Sequence, residues 1–252
     1  MPPFPSPTET WWQTKGQPSG DPSRPEVSAK GKNVIVTGGG TGIGAEVARY
    51  FAEAGAARIA LLGRREQPLL DTKASLERKY GTNVFTASVD VANKEQVDGA
   101  FQKFPGEDKV HVVVSNAAVT GPMDPARDVD VKAFVQTVAQ NVEGSLNVAQ
   151  AFVIHAAVNA VAIETNSNAA HLTLPEMPGF AAYSTAKFAP GVVDTDMNRA
   201  AGGVEALGFE DHVSVPGSFY LWLASPEARF LQGKFLYANW GYRGAQGESH
   251  GA

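Results

Sequence analysis

The stretch VIVTGGGTGIGAEVARYF, residues 34–51, restricts the possible folds of this chain more than any other part of the sequence. A β-branched run ends in a glycine-rich turn with Gly38, Gly42 and Gly44, and the next residues repeat apolar side chains at helical spacing. Glycine permits a tight turn and a close approach of the backbone to a ligand, and the N–H groups that start a helix can bind a pyrophosphate. A flexible turn is the simpler alternative. Because the turn follows the first predicted strand inside a βαβ unit, it predicts a strand–turn–helix unit that binds a dinucleotide, and the absence of Gly-Lys-Ser/Thr argues against a P-loop.

Similar β-branched runs alternate with helical patterns along the rest of the chain. Strands are predicted at residues 33–38, 57–63, 83–89, 110–116, 160–167 and 233–240, with helices between the first four strands and at residues 135–152. Gly55 and Gly81 follow the first two helices, where a left-handed residue is favoured. The alternation predicts a doubly wound, Rossmann-type α/β fold, which is a three-layer α/β/α sandwich with a mostly parallel sheet.

The domain organisation follows from a change in composition near residue 30. Residues 1–30 are rich in Pro, Ser and Thr, which predicts an N-terminal arm, and residues 31–252 are predicted to form one NAD(P)-binding Rossmann-fold domain. The adjacent Trp11 and Trp12 either attach the arm to the domain or to a partner, or belong to a mobile tail.

Charge and composition argue against several functional classes. The net charge of -5 and the pI near 5.6 provide no basic field for nucleic acid or an anionic membrane. The chain has no cysteine, and its five histidines lack the spacing of metal ligands, so no metal site is expected. The N-terminus lacks the basic start and apolar core of a signal peptide, and no apolar run is long enough to span a membrane. A cytoplasmic location is therefore the default expectation.

Two arginines, Arg64 and Arg65, follow the second predicted strand. In a dinucleotide-binding fold, an acidic residue at this position would hold the ribose hydroxyl groups and repel a 2′-phosphate. Arginine offers that phosphate a permanent charge and paired hydrogen bonds, which favours NADP(H) and leaves NAD(H) possible. A solvated surface pair is the structural alternative.

Several short motifs occur in a fixed order along residues 31–240. They are TGGGTGIG at 37–44, VDV at 89–91, SNAAV at 115–119, NVEG at 141–144, NSNAAH at 166–171, YSTAK at 183–187 and PGVVDT at 190–195. In this order they resemble the motifs of the short-chain dehydrogenase/reductase family, whose members are NAD(P)-dependent and act on CH–OH groups. The resemblance implies hydride transfer between a nicotinamide cofactor and a small-molecule ketone or secondary alcohol.

The resemblance also implies which residues form the site. The catalytic set would be Asn141, Ser167, Tyr183 and Lys187. Contacts to the cofactor would come from Thr37, Gly38, Gly40, Thr41, Gly42, Ile43, Gly44, Arg64, Arg65, Asp90, Val91, Asn116, Ala117, Tyr183, Lys187, Pro190, Gly191, Val193 and Thr195. By the same likeness, Asp90 and Val91 would contact the adenine, Asn116 would brace the central strands, and residues 190–195 would line the nicotinamide.

The chemistry proposed for Tyr183 also follows from the residues themselves. Carbonyl reduction by hydride needs a proton donor and the reverse reaction needs a base, and a phenol can serve as both. A free phenol has a pKa of about 10, so it needs a nearby positive charge, which Lys187 can supply from the same helical face. Ser167 would hold the substrate oxygen, and by resemblance Asn141 would anchor a water between Lys187 and solvent. Each residue alone has a purely structural explanation, and His171 either reaches substrate or lies on the surface.

The join after the YSTAK motif departs from the family pattern. Only Phe188 and Ala189 separate Lys187 from Pro190, whereas the resemblance implies several helical turns and a sixth parallel strand there. Two extended residues span under about 11 Å, and a parallel crossover needs about a dozen residues or more. The sequence therefore predicts that the sixth strand is missing, with poor stability as a consequence. The resemblance also implies that relatives associate through the helix that is shortened here, which casts doubt on a homo-oligomer. The alternative function is a catalytically impaired dinucleotide-binding protein.

Overall fold

Five strands form a single parallel sheet in the part of the chain that the computed structural model describes, residues 18–105, 108–125, 127–167, 181–186 and 214–231. They are β1 Asn33–Thr37, β2 Arg58–Gly63, β3 Asn83–Ser88, β4 Val110–Ser115 and β5 Ala156–Glu164. Every neighbouring pair is parallel, and the order across the sheet is β3-β2-β1-β4-β5. The predicted doubly wound α/β fold is confirmed. The order reverses direction between β1 and β4, which is where such sheets bind ligands beyond the carboxyl ends of their strands.

Six α-helices belong to the described residues. They are α1 Gly42–Glu53, α2 Glu66–Tyr80, α3 Lys94–Lys103, α4 Val131–His155, α5 Ala181–Ala186 and α6 Ser214–Leu223. Gly55 and Gly81 have φ angles of 85° and 68°, so both adopt the left-handed conformation predicted after α1 and α2. Asn93 and Asp130 cap α3 and α4 by accepting main-chain N–H groups three residues ahead. None of the described helices is long and apolar enough to cross a bilayer.

The helices cover both faces of the sheet. Val34 and Val36 of β1 face one apolar cluster with residues of α1, α2 and α6, while Ile35 faces a second cluster with residues of α3 and α4. All five residues of β1 are buried, because successive side chains alternate between two covered faces. The β-branched runs in the sequence therefore correspond to the middle layer of three.

The fifth strand differs from its prediction at both ends. It begins at Ala156, directly after α4, rather than at residue 160, and it ends at Glu164 rather than at residue 167. Between two pairs with β4, Val110↔Ala156 and Val112↔Val161, β4 advances by two residues (110 to 112) and β5 by five (156 to 161). Asn159 lies in this bulge with a φ of 61°. The irregular turn breaks the alternation that marks a strand in sequence, so only its regular second half was recognisable.

Residues 18–30, the second half of the predicted arm, pack against α6 and form what we call the N-terminal strap. The strap contains two 3₁₀ helices, Pro18–Gly20 and Pro25–Val27, and it buries Val27 and Ala29 almost completely. A Cβ atom added at Gly20 would overlap the main chain of Ser218 in α6. The strap thus covers one side of α6, in which every residue of 215–222 is buried.

Several predictions concern residues outside the described ranges. These are the tryptophans at 11 and 12, the missing sixth strand after Lys187, and the last strand at residues 233–240.

Candidate active site

The described residues of the predicted site lie at the carboxyl ends of the parallel strands. Thr37 ends β1, Arg64 and Arg65 follow β2, Asp90 and Val91 follow β3, Asn116 and Ala117 follow β4, and Ser167 follows β5. Parallel strands present these ends at one edge of the sheet, so residues far apart in sequence share one crevice. Lys187, Pro190, Gly191, Val193, Thr195 and His171 lie outside the described residues.

The turn between β1 and α1 is tight, and its glycine positions leave no room for side chains. Gly38 and Gly42 have φ angles of 68° and 54°, which favour glycine. A Cβ atom added at Gly44 would overlap the carbonyl oxygen of Gly38. Thr41 precedes α1, and its side chain makes no capping bond to the helix. The backbone N–H groups in the first turn of α1 are therefore not capped by the residue that starts it.

Thr37 joins the ends of β1 and β4 through its side chain. Its Oγ1 accepts hydrogen bonds from the N–H groups of Asn116 and Ala117, at 2.9 and 3.0 Å. In return, Asn116 Nδ2 donates to the carbonyl oxygen of Thr37 over 3.0 Å. These three bonds fix the two strand ends that flank the crevice.

Arg65 extends over the glycine turn from the start of α2. Its Nη2 donates a hydrogen bond to Thr41 Oγ1 over 3.4 Å. Arg64 precedes it, and both arginines are exposed. The carbonyl oxygen of Arg64 accepts a hydrogen bond from Ser88 Oγ over 3.1 Å, which fixes the backbone after β2 to the end of β3. The guanidinium group of Arg65 consequently borders the turn where it faces solvent.

Asp90 and Val91 form a short turn that packs against α4. The carboxylate of Asp90 accepts the N–H of Ala92 over 3.0 Å, and Asn147 Nδ2 donates to the carbonyl oxygen of Val91 over 3.0 Å. Gly144 faces the Val91 side chain, where an added Cβ would be 2.6 Å from Cγ2. The absence of a side chain at Gly144 therefore lets α4 approach the segment after β3.

Asn141, also on α4, holds the segment after β4. Its Oδ1 accepts the N–H of Val119 over 3.1 Å, and its Nδ2 donates to the carbonyl oxygens of Val119 and Thr137 at 3.0 and 2.9 Å. Asn141 is buried. Both of its amide hydrogens are engaged with main chain, so the water predicted at this residue could bind only to one of its oxygens.

Ser167, three residues after the end of β5, and Tyr183 of α5 are brought together. A side-chain hydrogen bond joins the two hydroxyl groups. Tyr183 is partly exposed as a residue, but dense packing around its phenol raises the pKa of Tyr183, and the bond from Ser167 lowers it in part. Among the described residues, the site therefore contains a phenol that remains protonated at neutral pH beside a second hydroxyl group.

A second tyrosine lies nearby that the sequence did not single out. Tyr220 of α6 is buried, and its hydroxyl group donates to Thr165 Oγ1 over 3.1 Å. Burial raises the pKa of Tyr220 to about 12, and the charges of Glu164 and Tyr183 act in the same direction. The one signal in the sequence is a phenol within a mostly apolar helix, SVPGSFYLWL, because a buried phenol needs a hydrogen-bond partner.

Comparisons with known proteins agree with this architecture. A sequence model of the family described as short chain dehydrogenase matches residues 32–193. A short chain dehydrogenase/reductase from Claviceps purpurea is 27% identical over 241 residues, covering 86% of this chain and 81% of the relative.

Two solved structures are also similar. The NADPH-dependent 3-quinuclidinone reductase from Rhodotorula rubra has a TM-score of 0.74 at 25% identity and covers 95% of this chain and 98% of the reductase. A short chain dehydrogenase from Burkholderia cenocepacia, solved in complex with NADP, has a TM-score of 0.74 at 22% identity, covering 87% and 99%.

Proposed function

The chain belongs to the short-chain dehydrogenase family of NAD(P)-dependent oxidoreductases, and we propose that it transfers hydride between NADP(H) and a ketone or secondary alcohol. The observation that carries this proposal is the hydrogen bond between Ser167 and Tyr183 at the carboxyl end of the sheet. The bond joins a phenol that can exchange a proton to a hydroxyl group that can hold a substrate oxygen. The substrate class is a small carbonyl compound or the corresponding alcohol.

The glycine turn fits a dinucleotide. Because a Cβ atom at Gly44 would overlap Gly38, the backbone of the turn stays close to the start of α1, where N–H groups can bind a pyrophosphate. Thr37 and Asn116 would fix the strand ends of β1 and β4 beside the cofactor. Asp90 and Val91 would contact the adenine. When bound, the nicotinamide cofactor supplies or accepts the hydride.

The preference for NADP(H) rests on Arg64 and Arg65. Both are exposed beside the glycine turn, and Arg65 lies within 3.4 Å of Thr41 Oγ1. A 2′-phosphate bound there would receive hydrogen bonds from one or both guanidinium groups and from the Thr41 hydroxyl group. The similar reductase from Rhodotorula rubra is NADPH-dependent, which supports the same preference.

In the proposed reaction, Tyr183 and Ser167 act on the substrate oxygen. For reduction, Tyr183 donates its proton to the oxygen as the carbonyl carbon gains hydride, and the product is the neutral alcohol. Ser167 donates a hydrogen bond to the same oxygen and stabilises its developing negative charge. Lys187 would lower the pKa of Tyr183 by its positive charge, and Asn141 would hold the main chain of Val119 beside the site.

The second candidate function is a dinucleotide-binding protein with impaired catalysis. It follows from the sequence, in which two residues separate Lys187 from Pro190. The residues proposed for cofactor binding through Ala117 all precede this join. Residues proposed to line the nicotinamide follow it, so binding of the adenine half would survive where catalysis does not.

The experiment that tests these functions combines binding with turnover. Circular dichroism would follow thermal unfolding of the 252-residue chain alone and with NADPH or NADH. A cofactor at about 100 times its Kd adds roughly 2.7 kcal/mol to the free energy of unfolding. A broad panel of ketones and secondary alcohols would then be screened by NADPH absorbance.

The Tyr183→Phe variant separates the two candidates. If the chain is a dehydrogenase, this variant should lose turnover while its affinity for NADPH remains nearly that of the wild type. Turnover retained by Tyr183→Phe would contradict the catalytic assignment. A thermal shift with NADPH and no turnover by the wild type across the panel would favour the impaired binding protein.

A further inference from the structure

Tyr220 extends from α6 to the end of β5, beside the residues proposed for catalysis. Its hydroxyl group donates a hydrogen bond to Thr165 Oγ1 over 3.1 Å, and Tyr220 lies close enough to Tyr183 for their charges to interact. We infer that Tyr220 is a positioning residue, which acts through Thr165 to keep Ser167 at hydrogen-bonding distance from Tyr183. The inference rests on the proposed function, because it assigns Tyr220 to the same site.

The donor belongs to a helix that is held on several sides. Every residue of α6 from Val215 to Trp222 is buried. On one side, Gly20 of the strap packs against the main chain of Ser218. On another side, Gly217 faces the ring of Tyr50, where an added Cβ would be 2.6 Å from Cδ2. Close packing of this kind resists displacement, so the Tyr220 hydroxyl group has a fixed position relative to the sheet.

The acceptor belongs to the residue at which the chain leaves the sheet. The N–H of Thr165 donates to the carbonyl oxygen of Ser115 over 2.9 Å, which attaches the backbone to the end of β4. Tyr220 holds the side chain of the same residue. With backbone and side chain both fixed, Thr165 sets the direction of the chain that carries Ser167 two residues later.

The hydroxyl group of Tyr220 remains a donor throughout the pH range of a working enzyme. Burial raises the pKa of Tyr220 to about 12, and Glu164 and Tyr183 are the titratable groups that act on it among the described residues. Lys187 lies outside the described residues, and its proposed effect on the pKa of Tyr183 is opposite in sign to that of burial. Titration of Tyr220 itself therefore does not interrupt the contact with Thr165.

The consequence of this positioning appears in the ionisation of Tyr183. Burial raises the pKa of Tyr183, and the hydrogen bond from Ser167 counteracts part of that effect. If Thr165 loses its bond to Tyr220, Ser167 becomes less well ordered and its bond to Tyr183 weakens. The pKa of Tyr183 then rises, and the base form needed for alcohol oxidation appears only at higher pH.

The Tyr220→Phe variant tests this chain of contacts because it removes the hydroxyl group and keeps the buried ring. The full chain saturated with NADP⁺ would be titrated by tyrosinate absorbance, and the same titration of its Tyr183→Phe counterpart would be subtracted. We expect the ionisation of Tyr183 to move to higher pH. With an active substrate, kcat should fall about fivefold to tenfold near neutral pH while KM for NADPH is unchanged.

Two further variants make the test independent of a general loss of stability. Thr165→Val removes the acceptor and should shift the ionisation of Tyr183 to higher pH, as Tyr220→Phe does. The double variant should shift this ionisation no further than either single variant. Tyr50→Phe is the matched control, because Tyr50 is another buried tyrosine against α6 whose hydroxyl group bonds with Arg49 and Ser214 instead. It should leave both readouts unchanged.

The two readouts distinguish failure of this inference from failure of the proposed function. If Tyr183 ionises at the wild-type pH in Thr165→Val, and in Tyr220→Phe where that variant folds, the inference is wrong whether or not turnover is found. If the ionisation shifts but no substrate of the panel is turned over, the proposed function fails and the positioning role stands, because the spectroscopic titration needs no substrate.

Discussion

Ser167 and Tyr183, 16 positions apart in the sequence, share a side-chain hydrogen bond, and this bond opposes the effect of burial on the pKa of the phenol. We predict that Ser167→Ala lowers kcat about 100-fold, because a donor to the developing oxyanion is lost. The pH at which alcohol oxidation begins should rise, since the pKa of Tyr183 is then governed by burial alone among the described contacts. The pH profile of kcat measures both effects. Ser145→Ala is the control and should leave the pH profile of kcat unchanged. Ser145 Oγ donates a hydrogen bond to Glu164 at the end of β5 over 2.7 Å. Wild-type kcat in Ser167→Ala would contradict the role of Ser167.

The two arginines after β2 predict a change in cofactor choice. Replacing both Arg64 and Arg65 with Ala should raise the Kd for NADPH by about tenfold to 100-fold and leave the Kd for NADH nearly unchanged. The physical reason is the loss of charge-assisted hydrogen bonds to a 2′-phosphate that NADH lacks. Isothermal titration of each cofactor provides the measurement. Arg78→Ala, at the exposed far end of α2, should change neither constant. Equal weakening of NADPH and NADH by the double replacement would show that the arginines do not recognise the phosphate.

Two glycine replacements distinguish the glycine-rich turn, which is proposed to bind the cofactor, from an ordinary helix position. Gly44→Ala should abolish binding of NADPH and lower the free energy of unfolding by about 1 to 3 kcal/mol, because its Cβ would overlap the Gly38 carbonyl group. Gly99→Ala should instead raise the free energy of unfolding by up to about 1 kcal/mol, since nothing lies within 4 Å of an added Cβ on α3. Denaturant unfolding and fluorescence titration with NADPH give the two readouts. A Gly44→Ala variant that binds NADPH normally would exclude a close approach at this turn.

Stability at alkaline pH should depend on Tyr220. Burial raises the pKa of Tyr220 to about 12 from its ordinary value of 10.0, so the folded state keeps a proton that the unfolded state loses first. The unfolded chain then binds fewer protons, and the free energy of unfolding contributed by Tyr220 is complete below pH 10 and is lost as pH rises toward 12. Urea unfolding at several pH values should give a shallower decline for Tyr220→Phe than for the wild type. Tyr80→Phe, which removes a hydroxyl group bonded to the exposed Glu53, provides a comparison with the same number of phenols. Identical slopes in the wild type and Tyr220→Phe would mean that Tyr220 ionises alike in both states.

Local signals explain how much of the fold could be predicted from the sequence. Gly55 and Gly81 marked the ends of α1 and α2, because a residue with positive φ is needed where each helix stops. The strands of a sheet covered on both faces appeared as continuous apolar runs. The start of β5 was missed, since Asn159 bends the strand and removes the regular alternation there.

The contacts at the candidate site depend on long-range packing, which local patterns do not report. The motifs brought Ser167 and Tyr183 into one hypothesis, but nothing local to residue 220 indicated that its phenol meets Thr165. Similarly, the composition of residues 1–30 predicted an arm and could not reveal that Val27 is buried against the domain. Which surfaces meet is decided by the folded chain as a whole.

The N-terminal strap has a practical consequence for where the folding unit starts. The family match begins at residue 32, yet Gly20 contacts the main chain of Ser218, and Arg24 Nη2 lies 3.0 Å from Glu227 Oε1 on the segment that follows α6. A protein that begins at Lys32 and keeps the rest of the chain would retain the five described strands and expose apolar surface on α6 to solvent. Limited proteolysis should accordingly spare residues 18–30, and shortened forms that begin at Lys32 should be recovered mainly as insoluble material.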